Sequence, residues 1–100
     1  MTETNDTTGE MFASVWDALE DSPAEAANMR LRSQLMIAVQ EAVASWNLPQ
    51  AEMARRLDVT LPRLNDLLQG RIGNFSLDAL MSLAARAGLS VRVRIERAAA

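Results

Sequence analysis

The sequence has no cysteine, no histidine, no tyrosine and no lysine. Without cysteine there is no disulfide framework. Without cysteine or histidine only carboxylates remain as ionic metal ligands, a poor set for zinc. The same absences remove the commonest general base and the strongest nucleophile, so neither enzyme activity nor a cofactor is expected. No apolar run approaches the length that crosses a bilayer, and the acidic, polar N-terminus lacks the basic start of a signal peptide. These features predict a soluble, cytoplasmic protein with no membrane partner. One hundred residues make one domain, long enough to bury a core without staples.

The net charge of −3 is unevenly spread. Residues 1–28 hold seven acids and no base, a charge of −7, whereas residues 29–100 hold ten arginines and six acids, a charge of +4. Arginine in place of lysine suits bidentate contacts to phosphate or guanine, although a GC-rich genome produces the same bias. Met1 to Glu10 is polar and aperiodic, as disordered segments are. Met11, Phe12, Val15, Trp16 and Leu19 then form an apolar stripe in an acidic setting. It reads either as a short helix folded back onto the chain's own core or as a docking element for a partner protein.

Ser22-Pro23-Ala24-Glu25 combines a Ser cap, a Pro at the first helical position and a Glu placed for a capping box. The helix it opens should run to about Trp46, with Leu31, Leu35, Val39, Ala42, Val43 and Trp46 on one buried stripe. Trp46 and the methionines read as core filling.

Residues 48 to 70, L-P-Q-A-E-M-A-R-R-L-D-V-T-L-P-R-L-N-D-L-L-Q-G, carry most of the functional signal. Met53, Ala54 and Leu57 share one face of a first short helix, and Leu64, Leu67 and Leu68 share one face of a second. The bend between them is Asp58-Val59-Thr60. Asp tolerates the left-handed backbone a tight bend needs, Thr60 can cap the following helix, and Pro62 falls in the first turn, where a missing N–H costs little. Two helices sharing a core across so tight a turn, the second with its polar side chains outward, form the pattern of a helix-turn-helix DNA reader.

Gly70-Arg71-Ile72-Gly73-Asn74 reads as a loop. Phe75-Ser76-Leu77-Asp78 opens another helix, capped by Ser76, complemented by Asp78 and stapled by Phe75 against Leu80. Gly88 ends it. Ser90 to Glu96 alternates strictly, with Val91, Val93 and Ile95 on one face and Arg92, Arg94 and Glu96 on the other, the pattern of a strand. No other segment reads as a strand, so pairing with the same strand of a second copy is the economical way to satisfy its backbone.

With these blocks in view, the chain resembles the compact Xre/Cro-type regulators that serve as antitoxins of the HigA kind, over about residues 11 to 97. The strongest block is Q-A-E-M-A-R-R-L-D-V-T-L-P-R-L-N-D-L-L-Q-G-R followed by F-S-L-D-A-L. The resemblance implies a mainly α, phage repressor-like helix-turn-helix domain with one C-terminal β-strand paired across a dimer. Its parts would be an acidic segment at 1–21, the DNA-binding domain at 22–89 and a dimerisation strand at 90–97. It also implies a homodimer on a palindromic operator in double-stranded DNA, repression of the chain's own operon in the bacterial nucleoid, and neutralisation of a co-encoded toxin, commonly a ribosome-dependent mRNA endonuclease.

Carried onto this sequence, the resemblance places Gln50 against a phosphate and Leu61, Pro62, Arg63 and Asp66 at the major groove, with Thr60 among the DNA-binding residues. Arg63 is expected to read guanine through its O6 and N7 acceptors, and Asp66 either accepts from cytosine N4 or orients Arg63. Asn65, Arg71, Asn74 and the helix start at Ser76 are expected to fix the protein on the backbone. Phe12, Val15, Trp16 and Leu19 are the candidate toxin contacts, and Val91, Val93 and Ile95 the dimer contacts. Three positions depart from the family pattern: Asp58 stands for the usual Gly of the turn, Pro49 for the usual Thr cap, and Leu61 where a Gln commonly reads a base. Two alternatives remain: a phage-type Cro/C1-like regulator without a toxin, and a protein-interaction module on a helix-turn-helix scaffold.

Overall fold

A computed structural model describes residues 22–97 of the chain. Within them lie four α-helices, α1 (Pro23–Ser45), α2 (Gln50–Leu57), α3 (Leu61–Leu68) and α4 (Leu77–Arg86), with a 3-10 turn at Ile72–Asn74 between α3 and α4. The chain divides into two units, Met1–Leu31 and Arg32–Ala100.

In the first unit the described residues are the start of α1. Ser22 Oγ accepts the Glu25 N–H at 3.3 Å and the Ser22 carbonyl accepts the Ala26 N–H at 3.0 Å, so the cap read from sequence is formed. Residues 23–30 are exposed.

The second unit holds the core. Leu35, Met36, Val39 and Val43 of α1, Ala54 and Leu57 of α2, Leu64 and Leu67 of α3, Phe75, and Leu80, Leu83 and Ala84 of α4 are buried, and no polar or charged side chain is buried among the described residues. Leu35, Val39 and Val43 of the expected α1 stripe are buried in place, Met36 joins them, and Leu31, Ala42 and Trp46 are only half-buried. Trp46 lies just past the helix end with the Arg56 guanidinium over its ring at 5.0 Å, so one ring face meets a cation rather than core.

Each helix stops on a left-handed residue: Asn47 (φ 59°), Asp58 (φ 58°), Gly70 (φ 72°) and Gly88 (φ 85°). After α2 the Asp58 N–H donates to the Arg55 carbonyl at 3.1 Å and the Val59 N–H to the Ala54 carbonyl at 3.0 Å. The same double bond closes α3, from Gly70 to Leu67 and Arg71 to Asp66, and α4, from Gly88 to Ala85 and Leu89 to Ala84. These are Schellman closures, which satisfy the last carbonyls while reversing the chain. Asp58 performs this role without being glycine, because its short polar side chain tolerates the left-handed region.

Three long side chains tie the helices together through main-chain carbonyls. Gln40 Nε2 donates to Leu67 at 2.8 Å and Arg86 to Leu57 at 3.3 Å, while Arg32 donates to both Ile72 (3.3 Å) and Phe75 (3.2 Å). The stretch expected as a plain loop is thereby a tightened turn, closed by Asn74 N–H to Arg71 and Phe75 N–H to Ile72.

The C-terminal strand is not formed. Residues 90–97 carry neither strand nor helix, and Val93 and Ile95 are 62% and 90% exposed. Alternation supplies the two faces of a strand, but a strand exists only through a ladder, and no neighbouring segment of the described chain offers one.

Candidate nucleic-acid interface

The site is built on α3. Thr60 Oγ1 accepts the Arg63 N–H at 3.2 Å, and Pro62 occupies the first turn, so the helix start is pinned by a cap and a fixed φ. Leu64 and Leu67 face inward. Leu61, Pro62, Asn65 and Gln69 are exposed, and their spacing of one, four and eight places them on one outward stripe. The Asp58 turn fixes this helix against α2, with Leu57 and Leu64 both buried on either side of the bend.

Arg63 does not project from that stripe. Its guanidinium lies over the Phe75 ring at 4.1 Å from the centroid and donates to the Asn74 carbonyl at 2.7 Å. It therefore links the start of α3 to the start of α4. The expectation for Asp66 is also altered: its carboxylate accepts from Arg71 at 3.0 Å and from Asn74 Nδ2 at 3.3 Å, and Arg63 is not its partner in either bond. Arg71 donates further to Gln69 Oε1 at 2.7 Å, and Gln69 Nε2 donates to Asn65 Oδ1 at 3.2 Å. Asn65, Asp66, Gln69, Arg71 and Asn74 are thus one connected surface network. Its ion pair is half in water, with Arg71 53% and Asp66 24% exposed, so it adds little stability but holds the carboxylate's charge next to a cation.

Arg71 and Asn74 adjoin α3 through the Asp66 carboxylate, whereas Gln50 and Ser76 stand at the starts of α2 and α4. Gln50 is exposed at the first position of α2, whose Pro49 cap makes no side-chain hydrogen bond. Ser76 Oγ accepts the Ala79 N–H at 3.1 Å, so its hydroxyl caps α4. Of the other arginines, Arg55 pairs with Glu52 on its own helix and Arg94 pairs with Glu96 at 2.8 Å; Arg92 and Arg97 are exposed in the C-terminal segment. Val91 is half-buried, in contrast to Val93 and Ile95. Phe12, Val15, Trp16 and Leu19 lie outside the described residues.

Two features escaped the sequence reading. Gln69 belongs to the exposed stripe, and its spacing from Leu61 and Asn65 was the available signal. Phe75 acts as a platform for Arg63, a contact between residues twelve apart that no local pattern encodes. Among the described residues there is no group of three or more acidic side chains placed to hold a metal ion, and no helix is long and apolar enough to cross a membrane.

Comparison with known families matches the chain to the helix-turn-helix domain family over residues 18–96. No curated protein matches the chain.

Proposed function

The chain belongs to the helix-turn-helix domain family, and from that premise we propose that it is a sequence-specific DNA-binding repressor that lays α3 in the major groove. One observation carries the reading: a short helix, capped by Thr60 and set by the left-handed turn at Asp58, that keeps its apolar side in the core and offers Leu61, Pro62, Asn65 and Gln69 to solvent. Arg71 and Asn74, bonded to Asp66 of that helix, together with Gln50 and Ser76 at the starts of α2 and α4, supply phosphate contacts, with backbone N–H groups and cations meeting anions.

The finer proposal is an antitoxin that represses its own operon in the bacterial cytoplasm. In it, a homodimer pairs Val91, Val93 and Ile95 across two copies and binds a palindrome, and residues 1–21 dock on a co-encoded toxin. The alternation of Val91, Val93 and Ile95 with charged residues, and the exposure of Val93 and Ile95, support the pairing. The acidic segment with its Phe12, Val15, Trp16, Leu19 stripe supports the docking.

Titration of the purified chain against its own upstream DNA and against an unrelated duplex, at two salt concentrations, tests the core of this reading. Specific binding retained at the higher salt supports it, and equal affinity for both duplexes refutes it. Co-expression with the product of the adjoining gene tests the antitoxin role: a stable complex, lost on removal of residues 1–21, is expected, and no complex leaves a repressor without a toxin.

A further inference from the structure

The polar groups best suited to read bases are already engaged in the free protein. Arg63, whose fork matches guanine, is stacked on Phe75 and bonded to the Asn74 carbonyl; Asp66 is bonded to Arg71 and Asn74; Asn65 and Gln69 are bonded to each other. What the first turn of α3 offers instead is apolar. Leu61 is 51% exposed at the first position of the helix, and Pro62 beside it is exposed too. The Thr60 cap and the proline ring fix the main chain at both residues, so little backbone ordering remains to be done on contact. In the major groove only one base-edge group matches an apolar side chain, the 5-methyl of thymine.

We propose that Leu61 and Pro62 form an apolar reader of pyrimidine 5-methyl groups, so that sequence preference turns on thymine, or on 5-methylcytosine, whose methyl occupies the same ring position, and not on a guanine contact from Arg63. The inference rests on the reading of α3 as the DNA-facing helix. Arg63 is then a positioning residue that fixes α3 against the start of α4.

The test uses the full chain and a duplex recovered by selection from a random-sequence library. Each thymine of the selected duplex is replaced in turn by deoxyuridine, which removes the methyl and leaves every hydrogen-bonding group in place. At one or more positions the affinity should fall about fourfold, the equivalent of losing one buried methyl at roughly 0.8 kcal/mol. Leu61→Ala and Leu61→Asn, both at an exposed position and so expected to melt like the parent, should discriminate less between the thymine and deoxyuridine duplexes, Asn more completely than Ala, with Pro62 keeping the remainder. A 5-methylcytosine·guanine pair at the sensitive position should bind more tightly than cytosine·guanine. If deoxyuridine is tolerated everywhere while a sequence is still selected, the methyl reader is overturned and DNA binding stands. If Leu61→Ala keeps the full methyl sensitivity, the methyl is read elsewhere and the assignment to Leu61 is wrong. If no sequence is selected, both the reader and the DNA-binding reading fall together.

Discussion

Replacing Arg63 with alanine separates its two candidate roles. The guanidinium sits 4.1 Å from the Phe75 ring centroid and 2.7 Å from the Asn74 carbonyl, at a half-buried position. A partly hydrated cation–π contact is worth about 0.5–1 kcal/mol and a hydrogen bond to an exposed carbonyl about 0.5–1 kcal/mol, the low end of the usual range. The Thr60 cap uses the Arg63 backbone N–H and survives the substitution. Alanine returns a few tenths of a kcal/mol through its higher helix propensity. The net loss is therefore about 1–1.5 kcal/mol, which for a domain of this size lowers the melting temperature by roughly 4–12 °C. Thermal melts followed by circular dichroism, beside selection of bound sequences by parent and variant, read both consequences. The expected result is a lower melting temperature with an unchanged selected sequence and a similar loss of affinity on all duplexes. An unchanged melting temperature together with relaxed preference at one base would falsify the positioning role and restore Arg63 as a guanine reader. Arg63→Lys, which keeps a cation but not the planar fork, should recover only part of the lost stability.

Asp58→Val should destabilise by about 1–2 kcal/mol in urea titrations, because a β-branched residue is forced into the left-handed region, whereas Asp58→Gly should stay within about 1 kcal/mol of the parent. Arg71→Ala should weaken binding to all duplexes alike and reduce the slope of log affinity against log salt by about 1, if Arg71 leaves Asp66 to meet a phosphate. Truncation after Gly88 removes the alternating segment and should convert a dimer to a monomer by light scattering, with much weaker binding to a palindrome than the full chain shows. An unchanged dimer would locate the interface outside residues 90–97.

The helix starts and stops were largely legible because cap chemistry is local. Ser22, Thr60 and Ser76 each accept a main-chain N–H three residues on, a bond written within four residues of sequence. The left-handed stop at Asp58 was readable from its place between two amphipathic runs, whereas Asn47, with the same geometry at the end of α1, was hidden behind the apolar Trp46. Contacts that bind the site together lay beyond local reading. Arg32 reaches forty and more residues ahead to Ile72 and Phe75, and Arg63 crosses eleven to Asn74, distances at which only the tertiary fold decides who meets whom. The strand at 90–97 does not form within the single chain for a related reason: alternation is a property of one segment, and a ladder is a property of two.

The same separation between local pattern and tertiary partner changes how the arginines bear on DNA binding. All ten bases are arginine, and counted as charge they make residues 29–100 a cationic unit that could meet phosphate anywhere. Followed to their partners, Arg32 and Arg86 bond main-chain carbonyls, Arg56 covers Trp46 and Arg63 covers Phe75, so each has a structural contact on offer before any ligand arrives. A cation already bonded to protein gains less from a phosphate or a base than a hydrated one, since the first bond must be broken or shared. Specific recognition on α3 then falls to groups whose free state is unfavourable, and an apolar Leu61 half in water is such a group, because covering it releases ordered hydration and breaks no bond. On the proposed reading, electrostatic attraction brings the cationic residues to DNA in any register, and the apolar first turn of α3 rewards only those registers that present a methyl.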